Sequence, residues 1–420
     1  MMFCTLLVIG VEGVALAQGD GAGGDSGGGA GDGAATGTAA GAPAAGAARG
    51  TGPAVAQAGP DSGSPATPPA SEAPAVAAPA PAPAPAPSAA KPPAISGFID
   101  TTYNYNLNRP STGVNGMFSY SARHNNLALN AAHLAINGEA TAGLTYTVEV
   151  DAGTDAVLDT SNYNPMGTDT YKLDVQEAYA TYKHDKFGIR AGKFVTFNGI
   201  EVIESGANPT VSRGYLFGLA EPFTNTGAEV FYQATDEVDV HLGVVNGWDV
   251  VADNNRGKTI LAKIGIVPSK DSLVTISAYA GPEQTGNAGN WRETIDVTAL
   301  VKVGKIDLNL QGNFGREDKA SPTMEDALWY GVGVQPLVHV SDRLTVGGRA
   351  EYFKDNDGAR TGTKVQLVNL TVTPGYLVSP NFLLRGEARV DIADQAVFLD
   401  STGGTMKNQI VALGEAIASF

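Results

Sequence analysis

Thiols are nearly missing from this chain. Among 420 residues, Cys4 is the only cysteine. It lies in a leader-like start, so the remainder can hold no disulfide framework, no thiol nucleophile and no thiolate metal site. Histidine is scarce: His124, His133, His184, His241 and His339 are scattered without metal-ligand spacing. Positive charge is the minority, with 27 Lys and Arg against 43 Asp and Glu, a net of −16. That excludes the basic footprint of a nucleic-acid-binding protein. No run of about eighteen apolar residues occurs, so no helix is expected to span a bilayer. A mean hydropathy of −0.05 does not exclude a membrane barrel, which hides its apolar surface in every second residue. No H-E-x-x-H or phosphate loop is present, and Gly24-Asp25-Ser26-Gly27-Gly28, which matches G-x-S-x-G, falls in a low-complexity Gly-rich run, so the sequence points to no cofactor, no metal and no enzyme.

What is present divides near Lys91. Residues 1–17 read as a signal peptide, with an apolar core from Phe3 to Gly10 and the small-x-small site Ala15-Leu16-Ala17. Two features depart from that pattern: no Lys or Arg precedes the core, and Glu12 follows it. Residues 18–94 are an Ala/Gly/Pro-rich tail that cannot build a core and is expected to be disordered. Its Pro-Ala run favours polyproline II and would reach roughly 60 Å at about 3.1 Å per residue. The functional reading is a periplasmic spacer that contacts the cell wall; the plain reading is a tolerated low-complexity tail.

From Ile95 the pattern changes to period two. Ile306, Leu308, Leu310 and Phe314 alternate with Asp307, Asn309, Gln311 and Asn313, as in a strand that is apolar on one face. Seven short turns, from 138–142 to 378–380, rotate with eight long polar loops, from 107–125 to 392–407. They separate about sixteen strands. This is the layout of an all-β transmembrane antiparallel barrel over residues 95–420, with short turns at the periplasmic end. A soluble β-sandwich would also alternate, but it does not rotate its gap lengths this regularly. Trp248, Trp291 and Trp329 stand where long loops meet strands and are expected to form an interfacial girdle. The terminal aromatic Phe420 fits an assembly signal. It shares a face with Ala418, Ala416, Gly414 and Ala412, opposite Ile417, Leu413 and Val411.

The longest break between strands, residues 194–226, neither alternates nor supports a long helix. A loop of that length in an ordered domain is usually functional. It is expected to fold into the barrel and narrow the bore. It carries Glu201, Glu204 and Glu221 with Arg213, and the late strands carry Arg343, Arg349, Arg385 and Arg389 on the polar face. The expectation is a transverse field, loop acids against wall arginines, at the narrowest point. The plain alternative is solvated lumen charge without a special role.

Within this loop, Glu201-Val202-Ile203-Glu204, Asn208, Ser212-Arg213-Gly214, Leu216-Phe217, Pro222-Phe223-Thr224 and Thr226-Gly227 resemble the signature of the putative β-barrel porin-2, or OmpL-like, family. Asn225 stands where that family commonly has His. The resemblance implies a porin-like barrel in the outer membrane of a Gram-negative bacterium, inserted by the barrel-assembly machinery and surrounded by outer-membrane lipid. The function expected is passive diffusion of small hydrophilic solutes or ions. Homo-oligomers are usual for such porins. Two rivals stand beside it: a non-conducting structural or adhesive barrel, and a barrel hydrolase built on a Ser–His or Asp–His pair.

Overall fold

The computed structural model describes residues 92–157 and 172–420. The expected signal peptide and nearly all of the expected tail lie outside the described residues. Fifteen strands follow in order: β1 (Ala94–Asn106), β2 (Asn126–Thr141), β3 (Leu144–Gly153), β4 (Lys172–His184), β5 (Phe187–Val195), β6 (Thr224–Gln233), β7 (Val238–Val245) and β8 (Thr259–Ser269); then β9 (Ser272–Pro282), β10 (Trp291–Val303), β11 (Ile306–Glu317), β12 (Ala327–His339), β13 (Leu344–Asp355), β14 (Val365–Ser379) and β15 (Phe382–Ala393). A small hairpin, β16 (Phe398–Leu399) with β17 (Thr405–Met406), sits in the last loop, and β18 (Asn408–Ser419) ends the chain. All but the hairpin form one closed antiparallel barrel of sixteen strands, in which β1 pairs with both β2 and β18. Closure satisfies every strand edge, which hydrocarbon requires.

The two kinds of gap fall where the sequence places them. Long loops are named here L1 (107–125), L3 (196–223), L4 (246–258), L7 (356–364) and L8 (394–407). The outer wall is apolar and exposed: Leu310 and Phe314 on β11, Val332 on β12, Leu370 and Val372 on β14, Ile410 on β18. The intervening side chains point inward and are polar, as with Gln311, Asn313, Asn369 and Thr371. Each outward apolar side chain is stable there only against lipid.

Two expectations about aromatics separate. Trp291 is exposed on the outer face at the long-loop end, near Tyr103 and Tyr330 by level; Tyr182, Phe187, Tyr232, Tyr376 and Phe420 line the short-turn end. Trp248 and Trp329 are not part of a girdle. They are 7% and 0% exposed and belong to an apolar core inside the barrel mouth. Alternation already places Trp329 opposite the outward Tyr330, so it faces in. Tyr215, Leu216, Leu219 and Ala220 of L3, Phe353 of β13, Leu367 of β14 and Phe398 of L8 join this core. Each fully buried large side chain contributes about 1.5–3 kcal/mol.

A second internal cluster explains β18. Val411, Leu413 and Ile417 face in, and Val411 and Leu413 pack on Phe118 of L1 and Val211 of L3. Ala412, Gly414 and Ala418 face out. The Phe420 ring covers Gly97, where a Cβ would lie 2.5 Å from Cζ. Gly97 and Phe420 also exchange two backbone hydrogen bonds, of 3.1 and 3.0 Å, which pin the end of the chain to β1.

Candidate functional site

L3 leaves the wall after Val195 and returns at Thr224. Its neck is closed by the Thr196 N–H donating to Phe223 O at 3.0 Å. Gly199 has φ +90 and donates its N–H to Asp296 of β10; a Cβ there would strike the Glu221 carboxylate at 2.2 Å. The Asn208 side chain closes the next turn, accepting from Val202 N and donating to the carbonyls of Val202 and Glu204. Arg213 points back into the loop and donates to Val202 O, Val211 O and Ile203 O. It stitches the loop internally.

The second half of L3, residues 208–217, is buried throughout. It is held by charged side chains of the late strands. Glu387 of β15 accepts from Val211 N (2.6 Å), Ser212 N (3.2 Å) and Ser212 Oγ. Glu351 of β13 accepts from the N–H groups of Tyr215 and Leu216 (3.0 Å). Arg349 of β13 reaches Glu201 at 2.9 Å, Thr210 Oγ1 at 2.9 Å and Ser212 O. Arg385 donates to the carbonyls of Asn208 (2.7 Å) and Ser205 (2.9 Å), and pairs with Glu415 of β18. Arg389 donates to Arg213 O at 2.7 Å, and Tyr215 Oη donates to Asp391 at 2.6 Å. Gly347 of β13 lets the loop approach this closely, since a Cβ would lie 1.8 Å from Pro209 O.

This arrangement corrects the expected transverse field. Arg349, Arg385 and Arg389 are 3%, 8% and 0% exposed. They grip the loop and do not face open water across from it. Glu201 is buried against Arg349, and Glu221 is buried elsewhere, accepting from Gln311 of β11 at 2.9 Å. Burial, with Asp296 alongside, holds the Glu221 carboxyl well above the usual carboxylate range. Arg343 is not on the wall at all: it is exposed in the turn before β13.

The water-facing part of L3 is its first half. Val202, Ile203, Glu204 and Ala207 are half-buried and Gly206 is exposed. Glu204 is the one expected constriction residue on this edge. It accepts from Gln176 of β4 and is in electrostatic contact with Glu149 of β3 and Glu177 of β4. A second, mixed ladder runs along β5–β8: Arg190 with Glu229 (3.4 Å), His241 with Glu229 and Asp239, and Lys263 with Asp239 (3.2 Å). Alternation marks Glu149 and Glu229 as inward, but nothing local in sequence says that L3 brings Glu204 to the first of them.

The motif residues prove to be anchors. Ser212 binds Glu387. Phe217 and Phe223 stack at 4.8 Å, with Tyr120 of L1 at 5.7 Å from Phe217. Pro222 is buried beside them. The N–H groups of Phe223 and Thr224 both donate to Asp249 of L4. Burial pushes the Asp249 carboxyl up to about 6. Thr226 and Gly227 continue β6, and a Cβ at Gly227 would meet Val244 O at 2.2 Å. Asn225 donates to Tyr279 Oη at 3.1 Å, inside the wall and away from the water-facing edge. Arg360 of L7 lies 5.2 Å from both Trp248 and Trp329 and donates to Leu219 O. Burial, with Arg292 nearby, lowers it to about 10. Among the described residues no three His, Cys, Asp or Glu side chains form a metal-ligand group.

The family described as putative beta-barrel porin-2, OmpL-like matches residues 93–420. Among solved structures, the chain is similar to the outer-membrane-expressed OmpT of Vibrio cholerae, with 11% identity over 78% of this chain and 97% of that one, at a TM-score of 0.53. It is similar to an anion-selective porin from Comamonas acidovorans, with 10% identity over 78% and 99%, at 0.53. The outer membrane channel DcaP of Acinetobacter baumannii gives 11% identity over 78% and 97%, at 0.51. At such identities the likeness concerns the fold. No curated protein matches.

Proposed function

This chain belongs to the putative beta-barrel porin-2, OmpL-like family, and we propose that within the porin function it shares, it passes small hydrophilic solutes with a preference for cations. It is an outer-membrane porin whose L3 folds into the lumen. The observation that carries the cation preference is the placement of Glu204 on the water-facing edge of L3, beside Glu149 and Glu177. An acidic constriction in a low-dielectric frame raises the local concentration of cations and repels anions. The wall arginines Arg349, Arg385 and Arg389 do not offset it, because they are committed to L3.

The short turns lie on the periplasmic side of a Gram-negative outer membrane, and residues 18–94 extend from there as a spacer toward the cell wall. Barrels of this kind associate as homo-oligomers and are inserted by the assembly machinery through the strand ending in Phe420. The protein works as a channel and not as an enzyme. Acid–His pairs do form, His133 with Asp151 and His339 with Asp307, each at 2.9 Å. Among the described residues no Ser or Thr hydroxyl is hydrogen-bonded to either ring.

The test is planar-bilayer recording of the purified protein across a salt gradient. Ohmic steps with a reversal potential on the cation side support the reading. Folded protein that conducts nothing would favour a structural or adhesive barrel, and an anion-side reversal would remove the acidic constriction.

A further inference from the structure

We propose that L1 is a flap whose tip roofs the extracellular side of the Glu204 edge, and that solutes reach that edge when the tip lifts. This rests on the reading of Glu204 as part of the constriction. L1 folds inward as a small hairpin. Val114 pairs with Arg123, the Asn115 N–H donates to Ala122 O, and the His124 N–H donates to Gly113 O. Its tip lies on L3. Phe118 and Tyr120 are each 2% exposed. Phe118 packs on Val211, and Tyr120 lies 5.7 Å from Phe217 and 5.9 Å from Phe223. Ser119 Oγ fills the space beside Gly218, 2.0 Å from where a Cβ would stand. The tip also reaches the Glu204 edge. Ile203 packs against the Tyr120 cluster, the Arg213 guanidinium lies 5.3 Å from the Tyr120 ring, and the Ser121 N–H donates to Asp155. Arg213 and Asp155 line one cavity with Glu204.

Two observations make this contact separable. The first is its chemistry. Among the described residues L1 and L3 share no backbone hydrogen bond. Rings and a guanidinium meet there, so parting orphans no backbone group of L3, which keeps its anchors on the wall carboxylates. Side-chain amides of Asn104, Asn130 and Gln409 bind the tip to the wall, and water can serve those groups once the tip is raised. The second is the backbone. Arg109, Met117, Ser121 and Asn125 all have left-handed φ, of 50 to 61°. Arg109 and Asn125 stand at the roots of the flap, and Met117 and Ser121 bracket its tip. Of these four residue types only Asn adopts that conformation readily. The others persist in it only where their surroundings impose it, and such residues gather at switch regions. The seated tip is therefore a strained conformation held by its contacts, and lifting relieves Met117 and Ser121.

The test is an engineered disulfide. Cβ atoms at 119 and 218 would stand 3.4 Å apart, near the roughly 3.8 Å of a disulfide. The full chain carrying Ser119→Cys, Gly218→Cys and Cys4→Ser is recorded in a planar bilayer. On oxidation its open fraction should fall at least tenfold, and a phosphine reductant should restore it. Ser119→Cys without the Gly218 change should show no such response. Equal currents in the two redox states, with the disulfide confirmed by mass spectrometry, would overturn the flap and leave the channel standing. No ohmic current in any state, wild type included, would overturn both. If the double variant fails to migrate as a folded barrel in a heat-modifiability gel, Ser119→Cys decides by thiol chemistry. Lifting should let a charged maleimide react there, and adding Tyr120→Ala should speed the reaction at least threefold. A thiol unreactive in both proteins would overturn the flap.

Discussion

Removing the Glu387 carboxylate should release the second half of L3 from the wall. In Glu387→Ala the N–H groups of Val211 and Ser212 lose their acceptor. Both residues are 0% exposed, so water cannot replace it. An orphaned buried donor costs about 1–3 kcal/mol, so the pair costs about 2–6 kcal/mol. The Ser212 and Thr373 hydroxyls lose the same acceptor, but they can rotate toward others. Even the low end shifts the seated-to-displaced ratio of the loop by about 30-fold. The assay is amide hydrogen exchange on the folded barrel in detergent. Protection at Val211 and Ser212 should fall at least 30-fold while amides of β10 and β11 keep theirs, because the loop is a separate cooperative unit. Glu387→Gln retains one acceptor oxygen and should recover part of the loss. Protection within about threefold of wild type in Glu387→Ala would refute the view that wall charges hold this loop.

Three further outcomes follow from the same contacts. Gly347→Ala forces a Cβ against Pro209 O and should raise exchange at Ser212 at least tenfold; no change would mean that the loop yields freely. Asp155 and Asp249 both titrate near 6 because they are buried, whereas an unfolded Asp titrates near 4. The folded state thus binds more protons between those values, so the stability they contribute is complete below about pH 4 and is lost as pH rises to about 6. Thermal unfolding should show that decline, and Asp155→Asn with Asp249→Asn should flatten it; an unchanged slope would place the effect elsewhere. Glu204→Gln should move the reversal potential toward anions, while Glu201→Gln should not, since Glu201 is buried on Arg349; equal shifts would contradict the assigned edge.

The barrel was legible because its physics repeats. Each strand pays for one lipid face and one polar face, so period two marks it, and the rotation of short and long gaps gives strand count and orientation. The site was legible only as far as facing. Alternation says that Arg349, Arg385 and Glu387 point inward, but whether they meet water or a backbone depends on the path of L3, which is set by contacts more than 130 residues apart along the chain. Trp329 could have been placed by its opposition to Tyr330; Trp248, in a loop, carries no such parity. Period two runs on through Arg343, but the turn before β13 is wider than its neighbours and holds it off the strand. The bulges in β2 and β4 that leave Asn130 and Gln176 buried inside the barrel have no mark in composition or period.

Whether Glu204 borders the conducting path is best tested by placing a thiol there. In a Glu204→Cys protein whose only other cysteine, Cys4, has been removed, a bulky cationic thiosulfonate should lower single-channel current in one discrete step per conducting unit. Glu139→Cys at the short-turn end should react without that step. Current unchanged after mass spectrometry has confirmed the adduct on Cys at 204 would contradict a constriction formed by the edge of L3.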